Sequence, residues 1–244
     1  MESPVLYIPV LTTILSLGFA WIVFQRYRRK ERAYHLLWWS AGIFLFGVGT
    51  FMEGFTTIFG WKEPIFRAWY ISGALLGGAP LAQGTVYLML ERQTAHRLAV
   101  ALVGFVAVAS LFVILTPLDT ALVEEHRLTG KVIQWEWVRF FSPFVNTYAF
   151  IFLVGGAVVS ARKYAGTPST RDRFFGNICI AVGAILPGIG GSFTRAGYTE
   201  VLYVTEFIGI IFIYIGFRLN TRSKDAGEHM ALSEGVSGGL TAES

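Results

Sequence analysis

Two carboxylates stand inside long apolar runs of this 244-residue chain. Glu53 lies in Gly-Thr-Phe-Met-Glu-Gly-Phe (49–55), and Glu206 follows Tyr203-Val204-Thr205. An ionisable side chain held in hydrocarbon costs a few kcal/mol or more, so one retained there is a functional candidate by default. Three arginines, Arg67, Arg139 and Arg195, fall at the same ends of neighbouring apolar runs. Two carboxylates and several guanidinium groups make a pocket for an ion or a small polar ligand, with Asn146 and Gln83 as amide groups able to line it. Thr50, Gln83, Thr85, Asn146, Thr147 and Asn177 form a softer polar set of the kind that joins helices, each contributing about 0.6 kcal/mol. The competing reading is that a carboxylate opposite an arginine only locks two helices together.

Other chemistries fail for want of residues. The four histidines, His35, His96, His126 and His229, all lie outside the apolar runs, so axial ligation of a membrane haem has no donor at depth. A zinc-dependent hydrolase or a serine protease would need a His/carboxylate cluster or a base beside its nucleophile, and neither can be assembled. Retinal Schiff-base chemistry needs an intramembrane lysine. Lys30, Lys62, Lys131, Lys163 and Lys224 all lie outside the runs. No cofactor is expected, and the pattern points away from an enzyme. Cys179 is the single cysteine, which excludes an internal disulfide.

The elements that must position these groups are transmembrane helices. Charged residues make up 15% of the chain against about 25% in soluble domains, and the mean hydropathy is +0.54. Crossing about 30 Å of hydrocarbon takes about 20 mostly apolar residues. Seven runs qualify: 5–25, 36–58, 66–89, 98–116, 141–161, 174–194 and 200–218. The expected fold is therefore all-α, a polytopic seven-transmembrane-helix bundle over residues 5–218, with a flexible cytoplasmic tail at 219–244.

The alternating loops carry 14 of the 20 basic residues on one side, which puts the N-terminus outside, the C-terminus in the cytoplasm, and the protein in the inner (plasma) membrane. The pI of about 9.3 is thus a topology signal, and no nucleic acid partner is expected. Trp61, Trp69, Trp135, Trp137 and Tyr198 fit an outer aromatic belt, and Trp38, Trp39, Tyr87 and Tyr164 an inner one. The loop 117–140 reads as a solvated connector, with a lid over the outer pocket as the alternative.

Runs three and six carry Pro80 and Pro187 among glycines, which predicts kinks. Runs one and five align at a fixed offset through Pro9/Pro143 and Thr13/Thr147, and runs three and seven share Tyr70-Ile71-Ser72 against Tyr203-Val204-Thr205. A parallel 3+1+3 repeat would explain both matches. The third run opens with Phe66-Arg67-Ala68-Trp69-Tyr70, passes through Gly77-Gly78-Ala79 and ends in Gly84-Thr85-Val86-Tyr87-Leu88. That pattern is similar to one seen in uncharacterised seven-helix bacterial membrane proteins, a resemblance that implies the fold and carries no activity with it.

The function expected is small-molecule or ion transport through an outward-facing polar pocket, with the lipid bilayer and a small polar ligand or ion as partners. The alternatives are a receptor-like sensor acting through a partner protein and a structural subunit of a membrane complex.

Overall fold

The computed structural model describes residues 4–30, 32–166 and 170–240, with side chains described as far as Arg222 apart from that of Arg195. It is 86% helical, and among the described residues there is no strand. Among the described residues six helical segments are long and apolar enough to cross a bilayer: Pro4–Arg29, Tyr34–Phe59, Arg92–Leu115, Glu136–Tyr164, Arg171–Thr194 and Thr199–Arg222. The chain is an integral, multi-pass membrane protein. Hydrocarbon offers no partner to a free N–H or C=O, so apolar runs of this length close their hydrogen bonds internally as helices.

The helices are α1 (Ile8–Arg29), α2 (Tyr34–Phe59), α3 (Glu63–Trp69), α4 (Ala79–Met89), α5 (Arg92–Leu115), α6 (Phe141–Ala149), α7 (Gly156–Tyr164), α8 (Arg171–Arg195) and α9 (Thr199–Leu240). A π-helical turn, Phe150–Gly155, joins α6 to α7 into one continuous rod. The backbone of α9 stays helical to Leu240, through much of the segment expected to be a flexible tail.

The third apolar run is the exception to continuous helix. It forms α3, widens into a π-helical turn at Tyr70–Leu75, breaks at Leu76–Gly78 and resumes as α4. Leu76 N–H reaches back to the Ile71 carbonyl at 3.0 Å and Gly77 N–H to Gly73 at 3.0 Å. Pro80 then starts α4, where its missing N–H costs nothing.

Despite the break, this segment lies antiparallel along the whole of α2. Trp69 sits beside Glu53, and a Cβ on Gly49 would lie 3.0 Å from Gly73 Cα. Gly42 accommodates Pro80 and Leu81, Gly84 abuts Trp39, and Tyr87 stacks on Tyr34 with ring centroids 5.7 Å apart. The fifth run follows it in parallel, with Ser142 at Tyr70, Asn146 at Ala74, Ala149 at Gly78 and Gly156 at Thr85.

Elsewhere the packing uses small residues and hydroxyls, as membrane helices must when lipid is as apolar as leucine. α1 meets α2 through Thr13 and Thr50, whose hydroxyls are 3.0 Å apart, and through Ser16 against Gly47. α8 and α9 touch backbone to backbone: a Cβ on Gly183 would lie 2.6 Å from the Gly209 carbonyl oxygen, and one on Gly216 2.5 Å from that of Gly176. Gly209 also makes room for the ring of Pro187, which α8 carries without interruption. α1 closes onto α9 through Phe19, which packs on Tyr214 and Phe217.

Three features differ from expectation. The loop 117–140 is packed rather than solvated: Leu128, Val132, Ile133 and Val138 are buried against Phe66, Trp69, Tyr70 and Val113. Trp69 and Trp39 are 8% and 7% exposed, so they belong to the core rather than to an aromatic belt. The helices paired by the sequence repeat also differ in form, since α1 and α9 run unbroken while the fifth run holds a π-turn and the third is interrupted.

Candidate functional site

Residues four apart on a helix share a face, and so do residues three apart. On α2 that face carries Gly49, Glu53 and Thr57, and on α9 it carries Glu200, Tyr203 and Glu206. The two faces meet near the end of the bundle where the loop 117–140 lies. Trp69 donates its indole N–H to Glu53 Oε1 at 2.9 Å. The Glu206 carboxyl reaches that of Glu53 within hydrogen-bonding range. Glu53 is 4% exposed, and the Oε2 atoms of both glutamates are buried without a donor. Those two oxygens have no hydrogen-bond partner among the described residues.

Tyr203, 2% exposed, lies one turn above and pairs with Thr57. The Thr57 hydroxyl in turn donates to the Glu53 carbonyl at 3.1 Å. The loop covers this column. His126 Nδ1 lies 3.1 Å from the Thr57 carbonyl oxygen, and Arg127 binds Glu200 at 2.6 Å with Glu124 at 3.9 Å. The carboxyl pair thus sits under a closed cover rather than in an open mouth.

The remaining expected site residues have other attachments. The Arg67 guanidinium is shared between Glu63 at 2.7 Å and the carbonyls of Val113 and Thr116 at the end of α5, a helix C-terminus that favours a cation. Arg139 pairs with Glu136 at 2.9 Å on the surface. The Arg195 side chain lies outside the described residues. Asn146 donates at 3.4 Å to the Ala74 carbonyl in the π-turn. Gln83 is wholly buried and uses both ends of its amide, donating to the Ala95 carbonyl at 2.9 Å and accepting from Tyr148. The structure brings Glu53 and Glu206 together and directs Arg67, Arg139, Asn146 and Gln83 elsewhere.

Neither family models, curated proteins nor solved structures match this chain.

The chemistry of the site therefore rests on its own groups. Among the described residues no three His, Cys, Asp or Glu side chains are placed to hold a metal ion. A groove of about 280 Å³ between α1 and α9 is lined by Ile14, Leu15, Gly18, Phe19, Ile22, Ile210, Ile211 and Tyr214, and is apolar apart from the tyrosine hydroxyl. Trp69, Tyr203, Thr57 and Arg127 complete the carboxyl site without having been expected there. The 3- and 4-residue spacings Glu200/Tyr203/Glu206 and Glu53/Thr57 could have found Tyr203 and Thr57, while no spacing points to Trp69 or Arg127.

Proposed function

We propose that the protein is a membrane transporter with seven crossings, whose ion-binding centre is the Glu53–Glu206 carboxyl pair, held here in a state closed to the outside. The seventh crossing is the broken segment Glu63–Met89, whose antiparallel pairing along α2 from end to end supports a full traverse of the bilayer. The excess of Lys and Arg on the opposite side supports placing the loop 117–140 outside.

One observation carries the transport reading. Two carboxyls from different helices meet in the interior with an unpartnered oxygen on each, an arrangement that costs stability unless a cation or proton is bound. A purely structural lock would have placed Arg67 against one of them. Instead Arg67 is engaged at the end of α5.

The test is flux in proteoliposomes of the full chain, read by a trapped pH indicator and by trapped radiolabelled solutes. Glu206→Gln is expected to abolish or uncouple flux while moving the melting temperature little. Loss of stability with unaltered flux refutes the assignment. Ligand binding without any flux would make the chain a sensor that works through a partner.

A further inference from the structure

The ion itself can be identified from the groups around the pair, an inference that rests on the reading of Glu53 and Glu206 as the binding centre. We propose that their ligand is a single proton shared between the two carboxyls and exchanged at the loop end, beneath the Arg127–Glu200 ion pair.

Three observations favour a proton over a metal cation. A hard cation gathers about six or more oxygens, whereas these carboxyls meet each other directly. One of the four carboxyl oxygens, Glu53 Oε1, already accepts from an indole N–H, a group that can only donate and so presents its positive end where a cation would compete. The Oε2 of each glutamate lacks a donor, and a single hydrogen between the carboxyls satisfies the pair in a way that two ionised groups at this separation cannot.

The surroundings add little countercharge. Tyr203 and Glu200 lie on α9, Arg127 and His126 on the loop, and neutral Trp69 on α3. α1 faces α2 with Thr12, Thr13 and Ser16, and α8 faces α9 with glycines. Arg127, whose charge acts on Tyr203, is committed to Glu200 at 2.6 Å.

The chemical step is uptake of one proton by the doubly ionised pair to give a monoanion. Its new O–H donates to the facing carboxyl, and release reverses the step with no change in oxidation. The route out runs past Tyr203 to Glu200, so opening the Arg127–Glu200 bridge admits water to the column.

Infrared difference spectra of the full chain in lipid nanodiscs test this directly. Wild type is expected to show a protonated-carboxyl C=O band at neutral pH that moves down on deuteration and ignores sodium at constant pH. Glu206→Gln supplies an amide N–H in place of the shared proton, so Glu53 ionises and the band is lost. Arg127→Ala is expected to speed the deuterium shift several-fold. The wild-type measurement needs no substitution, so a variant that fails to fold does not remove the test.

Absence of the band in wild type across the neutral range overturns the proposal, as does a band titrated by sodium. An unchanged exchange rate in Arg127→Ala overturns the gate. A shared-proton band in a protein that moves no solute or ion refutes transport while leaving this site standing. Sodium-driven flux without the band does the reverse.

Discussion

The indole N–H of Trp69 points at Glu53 Oε1 across 2.9 Å, joining the broken third run to the unbroken second one at their loop ends. Both residues are buried, and this bond ties a carboxyl oxygen of α2 to the ring of α3. Trp69→Phe keeps an aromatic ring and removes the donor. Leaving a buried acceptor unsatisfied costs about 1–3 kcal/mol, and thermal unfolding in detergent should fall by a corresponding amount. An unchanged melting temperature would mean that Glu53 draws no support from α3.

The α2–α4 contact depends on the absence of a side chain at Gly84. A Cβ there would overlap the Trp39 indole and come within 2.9 Å of the His35 carbonyl. Gly84→Ala should therefore lower expression and stability sharply. Gly104, in the middle of α5, has nothing within 4 Å of the same position. Gly104→Ala should be neutral or slightly stabilising, because alanine is the better helix former by about 1 kcal/mol. Fluorescence size-exclusion profiles after a heating series would rank the two.

Gln83 joins α4 to α5 and α6 through both ends of its amide. Intramembrane hydrogen bonds average about 0.6 kcal/mol each, so Gln83→Leu should destabilise by about 1–2 kcal/mol. Its groups are spent within the protein, and flux should persist at wild-type levels. Loss of flux without loss of stability would return Gln83 to the transport path.

Lys62 precedes α3 and Glu91 follows α4, so their sides report whether the interrupted segment crosses. Cysteines placed singly at each position in a Cys179→Ser background should react with an impermeant maleimide from opposite faces of the membrane. Labelling of both from one face would reduce the bundle to six crossings.

What the sequence makes legible follows from the solvent. Hydrocarbon forces long apolar runs into helix, so α1, α2, α5, α8 and the part of α9 from Thr199 to Arg222 lie close to where composition alone puts them. Gly77, Gly78 and Pro80 announced a kink, and the break falls there.

Side-chain partners were less accessible. Tryptophan near a span end is expected at the membrane interface and is equally able to serve as a buried donor, and only packing decided that Trp69 does the second. Arg67 had a choice between a distant carboxylate and the free carbonyls of α5, and the carbonyls were closer. The burial of Leu128, Val132 and Ile133 arises from contacts with Phe66 and Tyr70, about 60 positions earlier in the chain, which no local pattern encodes. Glu53 and Glu206 were recognisable because charge inside hydrocarbon is rare whatever surrounds it.

The glycines of α8 and α9 recur every seven residues, at 176, 183 and 190 on one helix and at 209 and 216 on the other, with Leu202 opposite Gly190. Helices whose backbones touch cannot slide past one another without collision, so the two behave mechanically as one stiff strut. A displacement that begins at Glu206 is then borne by both helices, reaching Arg222 about 24 Å further along the axis. Against α1 the strut rests on the packing of Phe19 with Tyr214 and Phe217 and on the side chains lining the apolar groove. Side chains repack more readily than touching backbones, so a shift of the strut would be taken up along that seam, beside the helix that carries Glu206.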